Sequence, residues 1–194
     1  FSTFEHLKKK KMNPKANKNA LFELMVGKAG LKQQVYHNTI NALNLIKNGI
    51  SDLEKKYAGY VVKNMPDNLM PFESNSVGEF EIDLKFGGDV LMFLMHTNVF
   101  EFSRDHEVMR TDYIRDDKSR SYCGIINIYN FISDSFKYNR VNDVGYMIGR
   151  IFINKDNHYF VEGKRELGFV YNDFGKNILD AAAVANLLET AITY

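Results

Sequence analysis

The spacing of the hydrophobic residues changes along this chain from the period of a helix to the period of a strand, and then back. Between residues 29 and 60 the apolar positions recur every three or four residues, which predicts one long amphipathic helix. The stripe consists of Thr39, Leu43, Ile46, Ile50, Leu53 and Tyr57. Because it covers less than the roughly three heptads typical of a coiled coil, we expect it to pack on the chain's own sheet. A dimer through the helix at 39–57 is the alternative.

The period falls to two near residue 80, where apolar residues alternate with charged ones as far as Phe86. This alternation indicates a half-buried strand, and Gly87-Gly88-Asp89 supplies a tight turn after it. Residues 64–76 are expected to form a loop. Further strands are predicted at 90–102, with a bulge at Thr97-Asn98, at 125–132, at 146–153, at 158–162 and at 167–171.

The last segment returns to a helical pattern and is apolar almost all round. We expect a buried helix that starts at Asn172 or Asp173. Several strands are apolar on both faces, so the sheet needs cover on both sides. We therefore predict an α+β fold with a long N-terminal amphipathic helix, a five- or six-stranded, mostly antiparallel sheet and a buried C-terminal helix that covers the sheet face opposite the first helix.

The near-neutral net charge of +1 conceals an uneven distribution of charge. Residues 1–33 hold eight lysines against Glu5 and Glu23, a net charge of +6, which leaves −5 for residues 34–194. We predict a loosely attached basic arm at 1–28 and a single α+β domain at 29–194. Nucleic acid or an anionic surface is expected as a partner only through the arm, and chiefly through its lysine run, Lys8, Lys9, Lys10 and Lys11.

The cellular setting is inferred from cysteine usage and hydropathy. The single cysteine, Cys123, forms no intramolecular disulfide, which favours a reducing, cytoplasmic location. No apolar run reaches the length of about 20 residues that a membrane helix needs, so we predict a soluble protein. A composition rich in Asn, Lys, Ile and Tyr is typical of an AT-rich bacterial genome.

The most polar segment of the body, residues 103–121, lies between two apolar strands. Its charges either pair among themselves on the surface, or its arginines converge on a phosphate or carboxylate. The candidate ligand-binding residues in it are Arg104, His106, Arg110, Arg115 and Arg120.

Three further features of the sequence could carry chemistry. Asp105-His106-Glu107 suggests a general base, but no second histidine or cysteine lies at metal-ligand spacing, so neither a metal nor a cofactor is expected. Cys123 is interpreted as a small buried hydrophobe. Arg150 shares a strand face with Tyr146, Ile148 and Phe152. That face either opens to solvent or places Arg150 beside a carboxylate or ligand in a cleft.

Three functions remain open. The leading hypothesis is a non-enzymatic small-ligand-binding or regulatory domain that self-associates through the 39–57 helix or an uncovered sheet face, with an anionic small molecule as ligand. The second is an enzyme that acts on a phosphorylated or carboxylated small molecule, with His106 or a nearby carboxylate as general base. The third is contact of the lysine-rich arm with nucleic acid or an anionic surface.

Overall fold

A long N-terminal helix, a six-stranded antiparallel sheet and a C-terminal helix make up an α+β fold, which confirms the predicted fold class. The computed structural model describes residues 14–64, 70–140 and 142–194. The strands lie in the sheet in the order in which they occur in the chain. The elements are α1 (Pro14–Asn64), β1 (Phe72–Asn75), β2 (Glu81–Phe86), β3 (Asp89–Glu101), α2 (Asp112–Asp116), β4 (Tyr122–Ile132), α3 (Ser133–Lys137), β5 (Tyr146–Asn154), β6 (Tyr159–Gly163), α4 (Glu166–Phe169) and α5 (Ala181–Ile192).

The hydrophobic stripe of α1 packs against the sheet of its own chain. Leu43, Ile46 and Ile50 are buried in one core with the inward side chains of the strands. The contact is closest at Gly124 of β4, where a Cβ atom would lie 2.0 Å from Thr39 Oγ1. The expected packing of this stripe on the chain's own sheet is therefore observed, and a dimer through the 39–57 helix stays a prediction. The helix begins at Pro14, well before the predicted start near residue 29.

Helix α5 lies on the same side of the sheet as α1, which differs from the predicted arrangement. A Cβ atom at Gly49 would be 2.9 Å from Leu188 Cδ1 and 3.0 Å from Val184 Cγ1, so the missing side chain allows the two helices to approach. The buried side chains of α5 join the core of α1. Neither α1 nor α5 therefore covers the opposite face of the sheet.

Three local predictions were wrong. Residues 167–171 form no strand, because the chain turns into the short helix α4 at Arg165, which has a φ of 51°. The expected loop at 64–76 contains the edge strand β1. The N-cap of α5 is Asp180, seven or eight residues after the predicted caps, and its Oδ1 accepts a hydrogen bond of 2.8 Å from Ala183 N.

The second face of the sheet carries a smaller apolar core. Phe152 of β5 and Phe160 of β6 pack there with Phe102, which follows β3, and with Val108 and Ile114 from the segment 103–121. That segment forms two short 3-10 turns around α2 and covers one end of the second face. The predicted bulge in β3 is confirmed, since the pairing with β4 shifts between His96 and Phe100. A cleft lies beside this cover on the second face.

Candidate functional site

A cleft of about 590 Å³ lies open on the second face of the sheet. Alternate residues of antiparallel strands point to the same face, so the pairing of the strands determines which side chains meet. Asn127 of β4 pairs with Arg150 of β5, and Arg150 pairs with Glu162 of β6. These three polar residues therefore cross the floor of the cleft in one row.

The rest of the lining is largely aromatic and aliphatic. Phe102 and Phe152 have ring centroids 5.0 Å apart, and Phe152 stacks on Phe160 at 4.9 Å. The apolar lining consists of Phe100, Phe102, Ile125, Tyr129, Met147 and Phe152. Mixed walls of this kind, with a few polar groups on an apolar surface, are typical of small-molecule sites.

His106 reaches the cleft from the segment 103–121 and pairs with Glu162, with 2.9 Å between Nε2 and Oε1. Its other ring nitrogen, Nδ1, accepts a hydrogen bond of 3.2 Å from the backbone N–H of Val108. A neutral imidazole that accepts at Nδ1 carries its hydrogen on Nε2, so it donates that hydrogen to the Glu162 carboxylate. Neither ring nitrogen then has a free lone pair with which to take a proton from a substrate.

Arg150 is the one cationic group of the cleft that forms no ion pair or hydrogen bond within the described residues. Its neighbour Glu162 is bound to His106, and the other carboxylate of the cleft, Glu101, hydrogen-bonds the Tyr122 hydroxyl. The bond to Glu101, with burial as a further cause, raises the pKa of Tyr122. The guanidinium is exposed and lies beside Asn127 on the cleft floor, where it is free to meet an anion.

The neighbours of Arg150 differ in part from those predicted. Phe152 shares its face, but the pairing of β5 with β4 shifts at this point, and Ile148 turns into the core beneath α1. A bulge inserts one residue into a strand and reverses the sides on which the following residues point. The alternation of side chains between the two faces of the sheet, as counted along the sequence, therefore does not hold between Tyr146 and Arg150.

Of the six predicted ligand-binding residues, the cleft brings together His106 and Arg150. Arg104 and Arg110 are exposed outside it. Arg115 lies 3.5 Å from Asp112, and Arg120 donates hydrogen bonds of 2.9 Å to Asp156 and to the Tyr113 carbonyl. A ligand-binding role for these four arginines stays a prediction.

Two charged residues of segment 103–121, Asp117 and Arg120, pair with the turn between β5 and β6. Lys155 lies 2.5 Å from Asp117, and this contact, with hydrogen bonds from Ser119, holds the pKa of Asp117 far below its usual range. Tyr113 stacks on His158 with 5.1 Å between ring centroids. These contacts attach the segment to the β5–β6 turn and so hold His106 over the cleft.

Sequence reasoning missed Glu162, Asn127 and His96 as members of the cleft. Glu162 is 56 residues from His106, and only the pairing of β5 with β6 places it beside Arg150. Asn127 is a polar residue in an otherwise apolar strand, and this is the sequence signal that could have identified it. The predicted contact residues Lys8, Lys9, Lys10 and Lys11 lie outside the described residues.

Two further observations bear on the chemistry of the chain. Cys123 is fully buried, and burial raises the pKa of its thiol well above the usual value. Within residues 14–64, 70–140 and 142–194, no group of three His, Cys, Asp or Glu side chains is placed to hold a metal ion, and no helix is long and apolar enough to cross a membrane.

Comparison with known protein families, curated proteins and solved structures gives no match.

Proposed function

We propose that this protein is a non-enzymatic binding module whose cleft takes a small molecule with an apolar body and an anionic group. The unpaired guanidinium of Arg150, beside the aromatic lining of the cleft, carries the proposal. A guanidinium fork suits a carboxylate or a phosphate, and the phenylalanine rings suit a flat apolar body. A volume of about 590 Å³ falls within the range of roughly 300–1,000 Å³ for small-molecule sites.

The other charged groups of the cleft already form hydrogen bonds within the protein, which supports the same proposal. Glu101 and Glu162 are each bound by a hydrogen-bond donor, which lowers their competition for the guanidinium. His106 orients Glu162 and has both ring nitrogens occupied, so it acts as a positioning residue in this proposal. An enzyme with His106 as general base would first have to break the bond from Val108 N–H.

Three naphthalene derivatives provide a direct test by calorimetric titration. 2-Naphthoate and 1-naphthyl phosphate carry the proposed anion, whereas 2-naphthalenemethanol keeps the ring system and has no charge. We expect both anions to bind the wild-type protein more tightly than the neutral alcohol, and we expect added salt to weaken their binding. Equal affinity for the alcohol and the anions would refute a role for Arg150.

Two matched arginine variants locate the interaction. Arg150→Gln should weaken binding of the anions by roughly tenfold or more, since a charge-assisted hydrogen bond is worth about 1.5–3 kcal/mol. Arg110→Gln removes an exposed arginine outside the cleft and should leave binding unchanged. The proposal fails if both variants bind the naphthyl anions as the wild type does.

Self-association through the open sheet face is the competing use of the same surface. A second copy seated there would cover Arg150 and exclude the ligand. Light scattering with and without 2-naphthoate distinguishes the two. A dimer that the ligand dissociates would mean that both occupy the cleft, and a monomer throughout would leave the face to the ligand.

A further inference from the structure

The first turns of α1 expose a continuous group of large apolar side chains. Leu21, Phe22, Leu24, Met25 and Val26 are between 52% and 73% exposed. Singly exposed apolar residues are common on protein surfaces, but contiguous ones mark contact sites. We call residues 21–26 the apolar window.

The apolar window stands clear of the folded body. Residues 19–30 are exposed without interruption, and Val35 is the first fully buried residue after this exposed run. At 1.5 Å per residue, Leu21 lies roughly 21 Å along the helix axis from Val35. Gly27 and Gly30 have no atoms within 4 Å of the place where a Cβ would be. The window can therefore meet a large surface without the sheet intervening.

Lysines occupy the helix on both sides of the apolar window. Lys15 and Lys18 precede it, Lys28 and Lys32 follow it, and Glu23 is the one acidic residue between positions 14 and 34. Two copies of this helix, parallel or antiparallel, would bring lysines against lysines as their windows met. Like charges at close range repel, so the window is poorly suited to pairing with itself.

The remaining candidate partners are a groove on another protein and a lipid surface, and the width of the apolar surface distinguishes between them. With 3.6 residues per turn, the five apolar side chains cover an arc of about 200°, from Leu24 through Leu21, Met25 and Phe22 to Val26. A helix that packs into a protein groove needs a stripe of roughly 100°. A lipid interface surrounds a helix more broadly, and lysines beside the inserted residues can extend to the headgroups.

We propose that the apolar window and its flanking lysines bind an anionic lipid surface. Leu21, Phe22, Leu24, Met25 and Val26 enter the boundary between headgroups and acyl chains, and Lys28 and Lys32 contact lipid phosphates. The folded body, with its cleft, remains in water at the other end of the projecting helix. This contact is separate from the ligand site of the cleft and does not depend on it.

Cosedimentation of the full chain with two kinds of vesicle tests the proposal. We expect binding to phosphatidylcholine vesicles that contain one third phosphatidylglycerol, and much weaker binding to pure phosphatidylcholine. Substitution of Leu24→Ser with Met25→Ser should reduce the partition coefficient by roughly tenfold or more. Both residues are exposed, so circular dichroism should show an unchanged fold.

A matched control uses the far end of the same helix. Val62 is 78% exposed and lies remote from the window, so Val62→Ser should bind the anionic vesicles as the wild type does. Lys28→Gln with Lys32→Gln should remove the preference for anionic over neutral vesicles. Failure of the wild-type chain to sediment with either vesicle would overturn the proposal, as would equal loss in the Val62→Ser variant. A dimer in solution that Leu24→Ser with Met25→Ser dissociates would assign the window to self-association instead.

Discussion

Asp83 makes the stability of this protein depend on pH in a direction that can be calculated. The residue lies on β2, is 6% exposed, and its Oδ1 has no hydrogen-bond partner among the described residues. Burial, with a contribution from the nearby charge of Glu81, raises the pKa of Asp83 from 3.8 to about 6. A carboxyl that is harder to ionise in the folded state than in the unfolded state destabilises the fold once it is ionised.

The sign and the size follow from proton linkage. Between the unfolded pKa of 3.8 and the folded pKa of about 6, the folded protein holds more protons at Asp83 than the unfolded chain does. The contribution of Asp83 to the free energy of unfolding therefore falls as the pH rises through this window and is constant above it. A difference of about two pKa units corresponds to a loss of about 3 kcal/mol.

Asp83→Asn removes the titration, and urea unfolding followed by circular dichroism at a series of pH values measures the result. The free energy of unfolding of the variant, relative to wild type, should rise by about 2.4 kcal/mol between about pH 4 and about pH 7. Glu81→Gln should reduce the slope by a smaller amount, since Glu81 is the lesser cause. Asp116→Asn, at an exposed carboxyl, is the control. A pH slope in Asp83→Asn equal to that of wild type would refute the reasoning.

Three further predictions concern packing and local structure. Gly124→Ala should destabilise the protein by about 1–3 kcal/mol in urea unfolding, because its Cβ would overlap Thr39, and Thr39→Ala should restore part of the loss. Asp180→Ala should cost about 1 kcal/mol through loss of the α5 N-cap, whereas Asn172→Ala at the predicted start should cost little; equal effects would contradict the observed cap. Cys123 should react with Ellman's reagent far more slowly in native protein than in urea, and rapid native labelling would contradict its burial.

Periodicity predicted the elements where side-chain pattern and burial agree. The stripe of α1 and the strands around 80–86, 90–102, 125–132, 146–153 and 158–162 all appear in the structure, because each has a strong local pattern. The failures lie where the local pattern is ambiguous. The apolar stretch at 167–171 fits a strand or a short helix equally well. The Asn172 and Asp173 side chains could each cap a helix, but the observed N-cap of α5 is Asp180.

The candidate site was predictable only in part. Arg150 stood out because a charged residue on an aromatic strand face needs an explanation. The convergence of five residues of segment 103–121 on one ligand was a weaker inference, since the charges of such a segment can also pair with one another. Arg115 pairs with Asp112 inside the segment, whereas Arg120 and Asp117 pair with Asp156 and Lys155 of the β5–β6 turn, which holds His106 in place.

The sequence by itself determined the fold class and the order of helix, sheet and helix, and it marked Arg150 as a charged residue on an apolar strand face. These follow from local periodicity and from the cost of placing charge on apolar surface. Only the tertiary structure decided that α5 joins α1 on one side and leaves the other side of the sheet open. It also placed Glu162 beside His106, because strand register brings together residues that are far apart in the chain, and register has no signature within any single segment.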